Sequence, residues 1–163
     1  MKPFLRPLLP SILAVFALAA CSSGSATDPV GVCNELVHDG TTHSVALASN
    51  PAPPPLGGAI TEGNYVLTAA RLFNVPASVD IKRQIGASLT IRGDVIEQVT
   101  QVDGVIARSR FKFTVANTML SLVDTCAGSN AETHGFGATP TQLEILSPEP
   151  GTPYTRHHIF TKR

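Results

Sequence analysis

The sequence predicts an all-β protein, an antiparallel meander of eight strands that closes as a small barrel or, alternatively, folds as a β-sandwich. From Ala59 onward apolar residues recur with a period of two, which is typical of half-buried strands. The dipeptide Asp103-Gly104 favours a hairpin turn, because both central positions of such a turn need a positive φ. Thirteen Gly and thirteen Pro among 163 residues argue against a bundle of long helices.

The first twenty residues have the features of an export signal. Lys2 and Arg6 supply positive charge, and the thirteen residues from Leu8 to Ala20 are mostly apolar. As a helix this stretch would rise only about 20 Å, whereas the hydrocarbon core of a bilayer is about 30 Å thick. The sequence therefore predicts a signal peptide over residues 1–20 rather than a membrane-spanning helix.

The end of that stretch, Leu18-Ala19-Ala20-Cys21, resembles the lipobox of bacterial lipoproteins. The resemblance implies that the Cys21 thiol is acylated, with palmitate or a similar chain, that the signal is cut off before Cys21, and that the new amino group is acylated too. Ser22 in place of Asp resembles the outer-membrane sorting pattern of Gram-negative bacteria. The alternative is an ordinary secretory signal cleaved after Ala20, but such sites favour a small residue where Leu18 stands. We therefore expect an exported protein, anchored to the membrane of the cell envelope through the lipid on Cys21, and to the outer membrane in a Gram-negative host.

Residues 21–58 have the composition of a tether followed by a spacer. Small polar residues follow Cys21, and the run from Asn50 to Gly58 is rich in proline. Such prolines favour an extended polyproline conformation and exclude a central strand. We therefore predict a signal peptide over 1–20, a lipid-anchored flexible tether and Pro-rich linker over 21–58, and one antiparallel β-domain over 59–163.

The charge of the chain gives no reason to expect a nucleic-acid partner. Twelve Lys and Arg balance twelve Asp and Glu, and removal of the signal peptide with Lys2 and Arg6 leaves the mature chain slightly acidic. Nucleic-acid-binding domains usually carry a clear basic excess.

The β-domain divides into eight predicted strands separated by turn residues. Gly93-Asp94, Asp103-Gly104 and Asn117 mark the tight turns, and Glu149 begins a longer turn that contains two prolines. The predicted strands are Tyr65–Phe73, Ala87–Arg92, Val95–Val102, Val105–Val115, Met119–Asp124, Thr133–Ala138, Gln142–Leu146 and Tyr154–Thr161. The predicted core consists of apolar residues on these strands, among them Phe111, Phe113, Leu120, Leu122, Leu143, Ile145 and Phe160.

Four segments of the domain carry a further resemblance: the entry segments Gly57–Ile60 and Gly63–Thr68, the hairpin Leu89–Asp94 and the closing Ile159–Lys162. These segments resemble small uncharacterised bacterial lipoproteins of the myxobacterial type. More distantly, the Gly-x-aromatic pattern that ends at Tyr65 and the eight-strand meander are similar to lipocalins, which usually carry Trp at that aromatic position. The lipocalin resemblance implies a small lipocalin-like barrel that holds a small apolar ligand in its mouth.

The cysteines predict a disulfide. If Cys21 carries a lipid, Cys33 and Cys126 remain as an even pair in an exported chain, which is typical of a bridge. The chain-entropy model assigns about 4–5 kcal/mol of stabilisation to a bridge that closes roughly 90 residues. Two unpaired thiols are the alternative.

The histidine spacing does not favour a metal site. His157 and His158 are adjacent, and adjacent side chains of a strand point to opposite faces. His134 lies on another predicted strand, without a neighbouring spacing typical of metal ligands. The chain also lacks C-x-x-C and the nucleophile elbow G-x-S-x-G. We therefore predict a protein that is not an enzyme and that has no catalytic, metal or cofactor residues.

Arg108, Arg110 and Lys112 alternate along one predicted strand and would form a positive stripe. One interpretation is a contact surface for an anionic lipid headgroup, a polysaccharide or an acidic partner. The other is a solvated outer face, whose charges discourage pairing between sheet edges.

These observations favour a non-catalytic binding or interaction module of the cell envelope, whose partner is a small apolar ligand or an envelope protein. The alternatives are a structural envelope protein with a filled core and an envelope hydrolase. The interior of an eight-stranded barrel is just wide enough for side chains to fill or for one small ligand. The sequence therefore leaves ligand binding and a filled core both open.

Overall fold

The computed structural model of the protein describes residues 33–126 and 131–163. These residues form ten β-strands, and no helix among them is long and apolar enough to cross a membrane. The strands are β1 His43–Ser44, β2 Ala46–Leu47, β3 Gly63–Phe73, β4 Gln84–Arg92, β5 Val95–Val102, β6 Val105–Ala116, β7 Met119–Asp124, β8 Ala131–Ala138, β9 Gln142–Pro148 and β10 Thr155–Lys162.

Strands β3 to β10 form a closed antiparallel barrel of eight strands. Each pairs with the next along the chain, and β10 pairs with β3 to close the sheet. The predicted meander and barrel are confirmed, and each of the eight predicted strands corresponds to one strand of the barrel. The β-sandwich alternative is wrong, because one continuous ladder runs around the whole barrel.

Residues with positive φ lie at the tight turns that the sequence predicts. Asp103 and Gly104 have φ values of 48° and 89° between β5 and β6, and Asn117 has a φ of 54° between β6 and β7. Short hairpin loops of this kind match the twist of the strands that they join. The turn after β5 sets the register in which Val102 faces Val105.

The barrel is densely filled at the end where β3 begins. Side chains at alternate strand positions point inward, and the most deeply buried large ones include Tyr65, Leu67, Leu89, Ile91, Ile96, Leu120, Phe136, Leu143 and Phe160. The predicted core residues that are buried are Leu120, Leu122, Leu143 and Phe160. The other predicted ones, Phe111, Phe113 and Ile145, are partly buried and pack against the same core.

Strands β3 and β4 pair along only part of their length. They are bonded from Gly63 to Val66 of β3, and beyond that point β1 pairs with β4 while β2 pairs in parallel with β3. Residues 43–47 therefore form a wedge between the two strands and supply partners for backbone groups that would otherwise be unpaired.

Residues 33–58, which we call the strap, include the wedge, and the parts before and after the wedge lie on the outer surface of the barrel. Near its start Asn34 is 6% exposed, and its Nδ2 donates to the carbonyl oxygens of Gln98 at 3.1 Å and Ser109 at 2.8 Å. These contacts hold the strap across β5 and β6. Near its end Gly57 forms a bridge with Gly137 of β8.

The strap belongs to the segment 21–58 for which the sequence predicts a flexible tether and Pro-rich linker, and the described part of this segment contacts the barrel. Pro55 packs on Gly135, where a Cβ would lie 3.0 Å from the Pro55 Cβ. Proline has no N–H to donate to a ladder, so a proline-rich segment stays outside a sheet whether it is packed or solvated. Composition alone therefore does not distinguish a segment packed on the barrel from a solvated spacer. Among the described residues, the first β-strand begins at His43. The predicted signal peptide and the rest of the tether, residues 1–32, lie outside the described residues.

Candidate functional site

The barrel interior is open at the end where the wedge lies. A cavity of about 260 Å³ is found there. This volume exceeds the roughly 150 Å³ of an engineered cavity that binds benzene, and it is below the range of about 300–1,000 Å³ for pockets that hold drug-sized ligands. The cavity therefore has room for one small molecule, such as a ring with a short chain.

The cavity has apolar and polar walls. Most of the lining residues lie on strands of the barrel, where inward positions recur at every second residue, whereas Val45 lies in the wedge and Arg83 directly precedes β4. The apolar lining residues are Val45, Leu72, Ile85, Val102, Phe111, Leu122, Ile145 and Phe160. The polar lining residues are Arg71, Arg83, Gln98, Thr100, Glu132, His134, Ser147, Arg156 and His158. A mixed lining of this kind offers contacts to an apolar body and to a polar group of the same ligand.

Two arginines share one carboxylate at the mouth of the cavity. Arg83 Nη1 donates to Glu149 Oε1 at 2.9 Å, and Arg156 Nε lies 3.1 Å from Glu149 Oε2. Arg156 Nη2 also donates to the carbonyl oxygen of Pro148 at 3.1 Å. The Glu149 side chain is only 12% exposed, compared with 36% for Arg83 and 33% for Arg156. The cluster is therefore a partly buried ion pair with one cation in excess.

His158 brings an imidazole to the cavity. It lies two residues from Arg156 on β10 and packs edge-on against Phe160, with ring centroids 6.3 Å apart. Enclosure by the barrel, and next the positive charge of Arg156, lower the pKa of His158 to about 4. The ring keeps some accessible surface because the cavity reaches it. At neutral pH it is uncharged and offers a ligand one donor or one acceptor nitrogen.

His134 and Glu132 form a pair on the inner face of β8. His134 Nε2 lies 3.2 Å from Glu132 Oε2, and the side chains are 9% and 67% exposed, respectively. Burial lowers the pKa of His134; Glu132 opposes this effect and Arg156 adds to it. When Nε2 donates to the carboxylate, Nδ1 of the neutral ring is an acceptor. This Nδ1 is buried and has no hydrogen-bond partner among the described residues.

His157 points away from His158, as the alternation of side chains along a strand predicts. Its Nε2 lies 2.9 Å from Glu144 Oε2, and its ring lies near Phe73, with centroids 5.9 Å apart. In the described ranges 33–126 and 131–163, no three His, Cys, Asp or Glu side chains are grouped so that they could hold a metal ion.

The predicted positive stripe lies on the outer wall, beside the strap. Arg108 Nε donates to the carbonyl oxygen of Leu36 at 3.3 Å, and Arg110 Nε lies 3.8 Å from Glu97 Oε1. Lys112 is exposed. Arg108 therefore helps to hold the strap, and the stripe is separate from the cavity.

Cys33 and Cys126 are bonded, which confirms the predicted disulfide. Cys126 follows the end of β7 by two residues, so the bridge ties the beginning of the strap to the barrel. The predicted lipid attachment site, Cys21, lies outside the described residues.

Sequence analysis did not identify the charged groups of the cavity. Arg156 and His158 precede Phe160 with a spacing of two residues, so the three share one face of their strand. Glu132 and His134 have the same spacing. Polar residues on a strand usually face solvent, and only the pairing of the whole barrel places these faces inside. The sequence signal for such charged groups is a polar residue at a position where the alternation along the strand predicts an inward apolar side chain.

No protein-family model, no curated protein and no solved structure matches the chain. The geometry of the cavity is therefore the basis of the function proposed below.

Proposed function

We propose that the protein is a non-catalytic lipoprotein of the cell envelope whose barrel binds a small amphipathic molecule in its lumen. The observation that carries this proposal is the cavity of about 260 Å³ with apolar and polar walls. An eight-stranded barrel is either filled by side chains or holds one small ligand. The open space at one end supports the second possibility.

The polar side chains of the interior also support a binding role over a structural protein with a filled core. A buried polar group costs free energy unless it is hydrogen-bonded, and His134 Nδ1 has no such partner within the described part of the chain. Arg156 and His158 line open space instead of packing into the core. Well-packed apolar residues are often at least as stabilising as buried charges, so stability alone does not account for these side chains.

Export and lipid anchoring belong to the same proposal. Eleven residues, 22–32, separate Cys21 from Cys33. Fully extended, a segment of this length spans at most about 40 Å. The lipid on Cys21 would therefore keep the barrel close to the membrane surface, where amphipathic molecules are concentrated by their apolar parts.

Native mass spectrometry of the mature protein, purified from its own host with Cys21→Ser, tests the proposal. Two variants are compared with this parent protein: Thr100→Phe places a ring in the cavity, and Thr114→Phe places the same ring on the exposed outer wall. We expect an adduct, lost on denaturation, on the parent and on the Thr114→Phe protein but not on the Thr100→Phe protein. Circular dichroism checks that both variants fold. A bare mass in all three proteins would contradict ligand binding and favour a structural role.

A further inference from the structure

The charged cluster at the cavity mouth is unbalanced. Glu149 carries one negative charge, and it contacts the positive Arg83 at 2.9 Å and the positive Arg156 at 3.1 Å. Arginine stays charged in proteins, so one positive charge in the cluster is uncompensated. The carboxylate of Glu132 also lines the cavity, but it is 67% exposed and paired with His134, and solvent screens it more strongly.

The two guanidinium groups have more donors than their contacts with Glu149 and Pro148 use. Each guanidinium has five N–H groups in a planar fork. Arg83 Nη1 donates to Glu149, and Arg156 Nη2 donates to the carbonyl oxygen of Pro148. Arg156 Nε lies 3.1 Å from Glu149 Oε2, but neither atom has a hydrogen-bond partner among the described residues. A second carboxylate could bind to the remaining donors, because the fork matches the spacing of two carboxylate oxygens.

Arg156 joins this cluster to the apolar part of the cavity. Arg156, His158 and Phe160 occupy alternate positions of β10 and all line the cavity, so their side chains follow one another from the mouth inward. Phe111 and Leu122 continue the apolar wall from other strands. A molecule whose charged end lies at Arg156 would therefore place its apolar body beside Phe160.

We propose that the lumen binds a small monocarboxylate, an aromatic or short aliphatic acid, with its carboxylate on Arg156 and Arg83 and its apolar body in the cavity. This inference rests on the lumen binding proposed above and specifies the charge and the size of the ligand. Burial is the main cause of the lowered pKa of His158 and of His134, and the positive charge of Arg156 adds to this effect at both rings. A bound anion would offset that charge.

Glu149 competes with a ligand carboxylate for the same two guanidinium groups. Its two oxygens contact the two arginines, and it follows the end of β9 on the turn that leads to β10. Glu149→Gln removes the competing negative charge and keeps the size of the side chain. This variant should bind carboxylates more tightly, whereas loss of the Arg156 guanidinium should weaken their binding.

Calorimetric titration of the mature protein with Cys21→Ser tests the assignment with three probes of one shape. They are 3-phenylpropionate, its neutral amide 3-phenylpropanamide, and the cation 3-phenylpropylammonium. We expect the carboxylate to bind at least about tenfold more tightly than the amide, since hydrogen bonds between charged partners are stronger than neutral ones. The cation should bind most weakly.

Variants separate the guanidinium from the rest of the cavity. Arg156→Gln should abolish the preference for carboxylate over amide, and circular dichroism shows whether this variant is folded. Glu149→Gln should increase the preference. Lys112→Gln removes an equal charge from the outer wall and should not change the preference for carboxylate. If Arg156→Gln does not fold, Arg156→Lys, which keeps the charge but loses the planar fork, should still reduce the preference.

The two proposals fail in different ways. Equal binding of carboxylate and amide by the parent protein would overturn the carboxylate assignment and leave lumen binding standing. A preference that survives Arg156→Gln would overturn the assignment as well. If no probe binds and the native mass spectrum is bare, both proposals are overturned; if no probe binds but an adduct is present, the carboxylate assignment alone is overturned.

Discussion

Cys33 is bonded to Cys126, 93 positions further along the chain. The bridge holds the beginning of the strap beside β7. The side-chain amide of the next residue, Asn34, donates hydrogen bonds to backbone carbonyl oxygens of β5 and β6. A cross-link between positions so far apart restricts the unfolded chain strongly. In the chain-entropy model it stabilises the folded chain by about 4–5 kcal/mol.

We expect Cys33→Ser combined with Cys126→Ser to lower the free energy of unfolding by roughly 2–5 kcal/mol. Urea unfolding of the mature protein with Cys21→Ser measures this change. The same protein in reductant is the control and should lose a similar amount. Equal unfolding midpoints for the oxidised parent and the double variant would show that the strap contacts hold the fold without the bridge.

Gly57, at the other end of the strap, lies against the turn between β6 and β7. A Cβ at Gly57 would be 2.7 Å from the carbonyl oxygen of Asn117, and the φ of Gly57 is 69°. Gly93 has a similar φ of 56°, but a Cβ there would have no neighbour within 4 Å among the described residues. Alanine at either position has the cost of a left-handed backbone, about 1–2 kcal/mol. Only Gly57→Ala adds a clash with backbone.

We therefore expect Gly57→Ala to lower the melting temperature clearly more than Gly93→Ala does. A difference of about 1 kcal/mol corresponds to roughly 4 °C in a domain of this size, and the clash should cost at least that much. Calorimetric unfolding of both variants provides the comparison. Equal shifts would mean that the end of the strap leaves the barrel without loss of stability.

The barrel itself could be predicted from the sequence because two local signals agree along most of the chain. Apolar alternation identifies strands, and dipeptides such as Asp103-Gly104 identify the turns between them. Together they fix the order of the strands and separate the two faces of each. The sheet is closed by the pairing of β10 with β3, which lie far apart in the sequence. Because local signals do not determine such a long-range pairing, the sequence leaves barrel and sandwich both open.

The strap and the cavity could not be predicted, for two physical reasons. The strap is held by contacts that composition does not reveal, such as the Asn34 amide on two distant carbonyl oxygens and Pro55 on Gly135. The cavity depends on how far the inward side chains reach across the lumen, which follows from the register of the strands rather than from any one of them. The alternation of side chains along a strand places His157 and His158 on opposite faces of β10, but it does not determine which of the two points into the barrel.

Lipid attachment at Cys21 gives a separate prediction. Metabolic labelling with a palmitate analogue should label the wild-type protein in its host and not the Cys21→Ala protein. Cys33→Ser is the matched control, because it removes the nearest other cysteine and should leave the labelling intact. Equal labelling of the wild-type and Cys21→Ala proteins would contradict the lipoprotein assignment.

His158 predicts how stability depends on pH. Its pKa is about 4 in the folded protein, compared with an ordinary value of 6.5. Between these two pH values the unfolded chain binds a proton that the folded chain does not bind. The contribution of His158 to the free energy of unfolding should therefore be constant above pH about 6.5, fall as the pH is lowered from there, and reach its full loss near pH 4. Each unit of pKa displacement corresponds to about 1.4 kcal/mol, so the loss from His158 is at most roughly 3–4 kcal/mol.

Urea unfolding of the parent and of His158→Gln across this pH range tests the prediction. The variant removes the imidazole, and its free energy of unfolding should fall less on acidification. Some dependence should remain, because burial also lowers the pKa of His134 and gives a contribution of the same sign. Parallel curves for the two proteins would mean that His158 is protonated as easily in the folded barrel as in the unfolded chain.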